Sequence, residues 1–126
     1  MKSGGAKAKG NLAENNMLRL FRTILPDSYK TLGSGNAKDD KGDIIFGPFC
    51  VECKHHKSFS KSEIDKYWVK IVEEAKSHKK EPLLVCKENN KEAVVYFYSH
   101  IDYFADTVRV SVPLGEFITL IRSVIQ

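Results

Sequence analysis

The chain lacks the features that would place it in a membrane or in a secreted scaffold. No apolar run approaches the ~20 residues a helix needs to cross a bilayer, so a helical membrane protein is excluded. The opening stretch, Met1 to Asn11, carries lysines with no apolar segment behind them, and the expectation is that it is not a secretory signal. Cysteine is scarce, and its odd count of three argues against a disulfide framework and fits a reducing, cytoplasmic compartment. Internal repeats are missing, as is any low-complexity tract beyond the first residues, so a solenoid or an extended disordered chain is not in view.

What is present is an ordinary globular composition: 126 residues, 42% hydrophobic and 29% charged. That length accommodates one compact domain, which should bury roughly two-thirds of its unfolded surface around a single core. The net charge of +4 is unevenly spread. Residues 1–80 hold 16 Lys/Arg against 10 Asp/Glu, whereas residues 81–126 hold 4 against 6. A basic first part with a mildly acidic remainder points to an anionic partner, nucleic acid before membrane, against the plainer reading of a solvated lysine-rich surface.

Residues 1–9 are small and basic with adjacent glycines and read as a flexible arm, leaving 10–126 as a single domain. Asn11 and Glu14 form an N-x-x-E variant of the capping box, and Met17, Leu18, Phe21 and Leu25 recur at helical spacing until Pro26 ends the run. Tyr29–Leu32 reads as a short strand and 33–42 as a loop. Asp43–Phe46, the turn Gly47-Pro48 and Phe49–His55 make a hairpin. Ser60 and Glu63 cap a second helix whose apolar stripe is Ile64, Trp68, Ile71, Val72 and Ala75. Leu83–Cys86, Ala93–Tyr98 and Val108–Val112 read as strands, and Pro113 opens a last amphipathic helix.

Chemistry concentrates in the hairpin. Side chains alternate along a strand, so Glu52 and Lys54 share one face while Val51 and Cys53 take the other. Asp43 opens the neighbouring strand and can share the face of Glu52. Crowded carboxylates repel unless a hard cation lies between them, and magnesium with oxygen ligands is the usual solution. The competing reading is a plain surface ion pair between Glu52 and Lys54.

Asp43 followed by Glu52-Cys53-Lys54 resembles the PD-(D/E)xK nuclease motif, with Gly42 in place of the usual proline. Together with Lys9-Gly10…Glu14 on the first helix and Gly33-Ser34-Gly35 before the Asp, the pattern resembles the archaeal-type Holliday junction resolvases, including phage-borne relatives, over roughly residues 9–98. The resemblance implies a restriction-endonuclease-like α/β fold, a mixed central β-sheet flanked by α-helices. It implies metal ligation by Asp43 and Glu52 with the Cys53 backbone carbonyl, and Lys54 orienting the attacking water or stabilising charge. Glu14 would project towards the metal, simple helix capping being equally open for it, and Ser34 stands where these resolvases carry a loop serine that assists cleavage. The activity implied is Mg2+-dependent endonucleolytic resolution of four-way DNA junctions by paired nicks, with Mn2+ as a substitute cation. Action on flaps, ends or duplex is the first alternative, and a non-catalytic basic DNA-binding module is the alternative of another class. A junction has two-fold symmetry, which makes a homodimer the natural assembly. A phage-encoded protein would act in the host cytoplasm.

His55, His56, Lys57 and Lys61 follow the catalytic strand and, with Lys7 and Lys9 of the arm, are candidates for salt-sensitive contacts to a DNA backbone. Trp68 and Tyr67 read as core before base-stacking platform. Cys50-x-x-Cys53 with His55 and His56 is a poor zinc site, because the segment is a strand and lacks the tight turn a zinc knuckle needs. Gly33-Ser34-Gly35 has Lys38 where a dinucleotide fingerprint needs its third glycine.

Overall fold

A computed structural model describes residues 3–31, 43–101 and 106–125 of the chain. Nine elements follow in order: α1 (Ser3–Ile24), β1 (Tyr29–Lys30), β2 (Ile44–Phe46), β3 (Phe49–His56), α2 (Lys61–Ser77), β4 (Glu81–Glu88), β5 (Val94–Ile101), β6 (Asp106–Pro113) and α3 (Leu114–Ile125). The strands form one sheet in sequence order, β1 to β6. Neighbours are antiparallel except β3 and β4, which run parallel because α2 carries the chain back over the sheet between them. The mixed sheet between helices is the expected architecture.

Two apolar layers hold it. On one face α1 and α3 pack Met17, Phe21 and Phe117 against Ile44, Phe46, Val51, Leu83, Val85 and Val95. Phe21 and Phe46 stack with ring centroids 4.1 Å apart, and Phe117 meets Phe49 edge-on at 5.8 Å. On the other face α2 packs Trp68, Ile71 and Ala75 against Ile45, Cys50, Leu84 and Cys86. Consecutive residues of β2 and β4 therefore alternate between the two cores, which explains why both strands read as unbroken apolar runs.

Local signals account for the element ends. Past α1, Ser28 turns the chain by donating from both its N–H and its hydroxyl to the Leu25 carbonyl, at 3.0 and 2.7 Å. Gly47 takes the positive φ of +55° that the two-residue turn between β2 and β3 needs. α2 opens with the anticipated capping box: the Glu63 N–H donates to the Ser60 hydroxyl at 3.2 Å, and the Ser60 N–H donates to the Glu63 carboxylate at 2.9 Å.

Several boundaries differ from the sequence reading: β2 starts at Ile44 rather than Asp43, and Pro113 ends β6 rather than opening α3. α1 begins at Ser3, so Asn11 lies inside the helix rather than capping it, and residues 3–9, expected as a flexible arm, are helical. Ala6, Lys7, Ala8 and Lys9 are strong helix formers, and they extend the helix through Gly10. β1 covers Tyr29–Lys30, with Thr31 outside it, and Leu32 lies outside the described residues, as does the expected loop 33–42. β4, β5 and β6 are each eight residues long because pairing continues into polar positions, as in Ser99 opposite Val108 and His100 opposite Thr107.

Candidate active site

The site grows from the β2–β3 hairpin and the helix above it. Ile45 lies opposite Cys50 and Ile44 opposite Val51, so the same antiparallel register carried one residue further brings Asp43 beside Glu52. Thr31 pins Asp43 from the other side: its hydroxyl accepts from the Asp43 N–H at 2.8 Å, and its N–H donates to the Asp43 carbonyl at 2.7 Å. The alternation of β3 then sorts its side chains. Val51 and Cys53 enter the α1 layer, and Cys50, Glu52, Lys54 and His56 lie under α2.

Carboxylate oxygens of Asp43, Glu52 and Glu74 all lie within 4.8 Å of one another. The Lys54 ammonium is 3.4 Å from the Glu52 carboxylate and 4.8 Å from the centre of the Tyr67 ring, an ion pair and a cation–π contact on the same nitrogen. Asp43 is 7% exposed, and burial is the main reason its carboxyl is pushed up to about 8. A hydrogen bond shared with Glu74, and the charges of Glu74 and Glu52, push in the same direction. Burial also raises Glu52, partly offset by Lys54 and Lys70. The Cys50 thiol, fully buried and bonded to Asp43, is pushed up to about 12 and stays neutral. His78, at the C-terminal cap of α2, places Nε2 3.9 Å from the Asp43 carboxylate.

The residues anticipated for the site divide clearly. Asp43, Glu52 and Lys54 are gathered. Cys53 turns its thiol into the opposite core layer, where burial holds it well above the usual range, so only its backbone is available to the hairpin. Glu14 is not brought into the carboxylate cluster. It shares a helix face with Met17, Leu18 and Phe21, which pack on the α1 side of the sheet, and it forms an ion pair with Lys30 of β1. Ser34 lies outside the described residues, as do the side chains of Lys7 and Lys9.

Of the basic candidates that follow β3, His55 is hydrogen-bonded to Asn89 at 3.0 Å. His56 stacks on Phe59 at 4.4 Å and shares a 3.3 Å hydrogen bond with the Tyr67 hydroxyl. Both imidazoles are therefore engaged within the protein, while Lys57 and Lys61 are exposed. Trp68 is core, with Arg109 lying over its ring and pairing with Asp65 at 3.0 Å.

Glu74 escaped the sequence reading because Glu73-Glu74 in a lysine-rich helix looks like solvated charge. The available signal was its spacing: Glu74 falls three residues after buried Ile71 and next to buried Ala75, at the border of the apolar stripe.

A mixed six-stranded sheet between helices, with Asp just ahead of one strand and Glu-x-Lys on its neighbour, defines a restriction-endonuclease-like fold of the PD-(D/E)xK superfamily. Residues 5–120 match the family described as "Phage putative PDDEXK endonuclease", and the chain belongs to that family. Searches of curated proteins and of solved structures find no match.

Proposed function

We propose that this protein is a metal-dependent DNA endonuclease that uses Asp43, Glu52 and Lys54 to hydrolyse phosphodiesters, with four-way junctions as its substrate. The observation that carries the nuclease reading is the convergence of two strand carboxylates, a lysine and a third carboxylate in one half-buried cluster of a PDDEXK family member.

The residues suit a hard divalent cation. Three carboxylates within 4.8 Å, one of them pushed up to about 8, are mutually unfavourable without a cation between them. The Glu74 Oε2 atom is buried with no hydrogen-bond partner among the described residues. An all-oxygen donor set fits Mg2+ or Mn2+. Asp43 and Glu52 would hold the ion, with the Cys53 carbonyl as a further oxygen. When bound, such a cation lowers the pKa of a water and neutralises charge on the scissile phosphate.

The chain's own contribution is positioning. Asp43 is fixed by Thr31, Glu52 is fixed by the β3–β4 ladder, and strands hold such groups more tightly than loops. Lys54, braced by Glu52 and the Tyr67 ring, directs its ammonium at the water oxygen or at the non-bridging phosphate oxygens as charge develops. In the reaction the water oxygen bonds to phosphorus and gives up a proton, the ester P–O bond breaks, and the leaving oxygen takes up a proton, so that one water is added across the bond.

The junction preference rests on the resemblance to the resolvases, and it carries with it a homodimer whose two sites cut paired strands. The placement of Glu14 beside Lys30 favours a second reading, a nuclease of this superfamily acting on flaps, ends or duplex, because the helix carboxylate was one of the features linking the chain to the resolvases. Cleavage with Mg2+ of a four-way junction, a flap and a linear duplex of matched sequence separates them. Preferential paired nicking of the junction supports the resolvase, and equal cutting of all three keeps only the nuclease. Tight binding with no cutting of any substrate overturns both.

A further inference from the structure

We propose that Glu74 is the third carboxylate ligand of the metal site, so that α2 supplies the helix carboxylate the resolvase pattern would take from α1. The inference rests on the nuclease reading above and deepens it.

α2 runs over the site in register with it. Tyr67, Lys70, Glu74 and His78 follow at helical spacing along one stripe. Each meets the site in turn: Tyr67 the Lys54 ammonium, Lys70 the charge of Glu52, Glu74 both Asp43 and Glu52, and His78 the Asp43 carboxylate. Only Glu74 in this stripe adds an anionic oxygen at the meeting point of the two strand carboxylates. α2 is locked at its start by the capping box and near its end by Ala75 in the core, so the position of Glu74 is built into the helix.

The two helix carboxylates differ in how their charge is met. Glu14 has the Lys30 ammonium. Glu52 has Lys54. Among the described residues, Glu74 and Asp43 have no Lys or Arg within ion-pair distance. Among the same residues, Glu14 Oε1 and Glu74 Oε2 are both buried without a hydrogen bond, but the Glu14 oxygen faces the Lys30 ammonium and the Glu74 oxygen faces no cation. A carboxylate that is half-buried, crowded by two others and left without a cation is the one that gains most from a bound ion.

The test is metal binding by the full-length protein without DNA, followed by Mn2+ titration in EPR and by the thermal shift that Mg2+ produces. Glu74→Gln keeps the shape and removes the charge. It should weaken Mn2+ binding about tenfold or more, the scale on which metal-site partners act. It should also shrink the Mg2+-induced rise in Tm while leaving the metal-free Tm equal or higher, because a repulsion has been removed. Glu14→Gln should leave Mn2+ affinity within about twofold of wild type. Wild-type Mn2+ affinity in Glu74→Gln overturns the proposal. So does a lower metal-free Tm with an undiminished Mg2+ response, which marks Glu74 as merely structural, and so does a loss of Mn2+ binding in Glu14→Gln alone. Should Glu74→Gln not fold, Glu74→Asp, which keeps the charge but withdraws it by one methylene, must still lower Mn2+ affinity. Asp43→Asn separates the two readings: if it abolishes Mn2+ binding while Glu74→Gln binds Mn2+ as tightly as wild type, only the Glu74 assignment falls. If Asp43→Asn also binds Mn2+ as wild type does, the nuclease site itself falls.

Discussion

The two faces of β3 are built from one strand and do opposite work. One face sends Val51 and Cys53 into an apolar layer with α1 and α3, where aromatic rings stack. The other carries Glu52, Lys54 and His56 beneath α2, where charges crowd and burial raises carboxyl pKa values. The period of two in a strand is what allows this division, since each residue commits wholly to one layer. The carboxylate cluster is thus held by a core it does not share side chains with. The same contrast separates the two helix carboxylates: Glu14 on the stability face is matched to Lys30, and Glu74 on the charged face is crowded against Asp43 and Glu52.

The largest effects should come from taking one element out of each face. Asp43→Asn should lower single-turnover cleavage by on the order of 10³-fold, since it removes a charge that organises the reacting centre. DNA binding measured in Ca2+ should hold or tighten, because a carboxylate facing phosphate has been removed. Activity within tenfold of wild type would mean the charged face is not the active site. Phe21→Ala, on the opposite face, removes a ring stacked on Phe46 and should cost about 3–5 kcal/mol in urea unfolding. In the folded fraction the Mg2+-induced rise in Tm should persist. If it vanishes, the two faces are coupled and the comparison breaks.

The sheet was largely legible in the residues because its signals are local. The hairpin announces itself through Gly47-Pro48 between apolar runs, and α2 through Ser60 and Glu63. The strand carboxylates were legible for the same reason, since alternation along β3 puts Glu52 and Lys54 on one side. Glu14 and Glu74 were not, because a helix residue's contribution depends on which face of the sheet its helix covers. That is a property of topology: α2 crosses over between parallel β3 and β4, and so covers the Glu52 face, whereas α1 covers the other. α1 starts well before the cap signal at Asn11, because the helix propensity of the Ala-Lys stretch ahead of it outweighs that local signal.

The charged face should also make stability depend on pH in a way the apolar face does not. Asp43 is raised from an ordinary 3.8 to about 8, so between those values the folded state holds a proton that the unfolded chain releases. Its contribution is fully present below about pH 4 and is lost as pH rises through about 8, so the metal-free Tm should fall across that window. Saturating Mg2+ should flatten the fall, since the cation favours the charged carboxyl. Asp43→Asn should flatten it without metal, while Phe21→Ala should lower the whole curve and leave its slope in place. A metal-free Tm that rises with pH across this window, with wild-type Asp43 present, would contradict the crowding on which the comparison rests.

The smallest effect tests whether the charged face is tuned as well as assembled. Tyr67 does two things: its ring lies under the Lys54 ammonium, and its hydroxyl is bonded to His56. Tyr67→Phe keeps the ring and removes only the hydroxyl, so cleavage should stay within about twofold, as expected for one part-exposed neutral hydrogen bond. Tyr67→Leu removes the π-face, and a cation–π contact of about 0.5–2 kcal/mol sets the expected loss at roughly 2- to 30-fold. Since Glu52 still holds Lys54, the loss should appear in the cleavage step rather than in DNA affinity. Equal losses from Phe and Leu would assign the effect to the His56 bond. No loss from Leu would leave Glu52 alone as the brace of Lys54, and α2 would then contribute to the site only through its carboxylate.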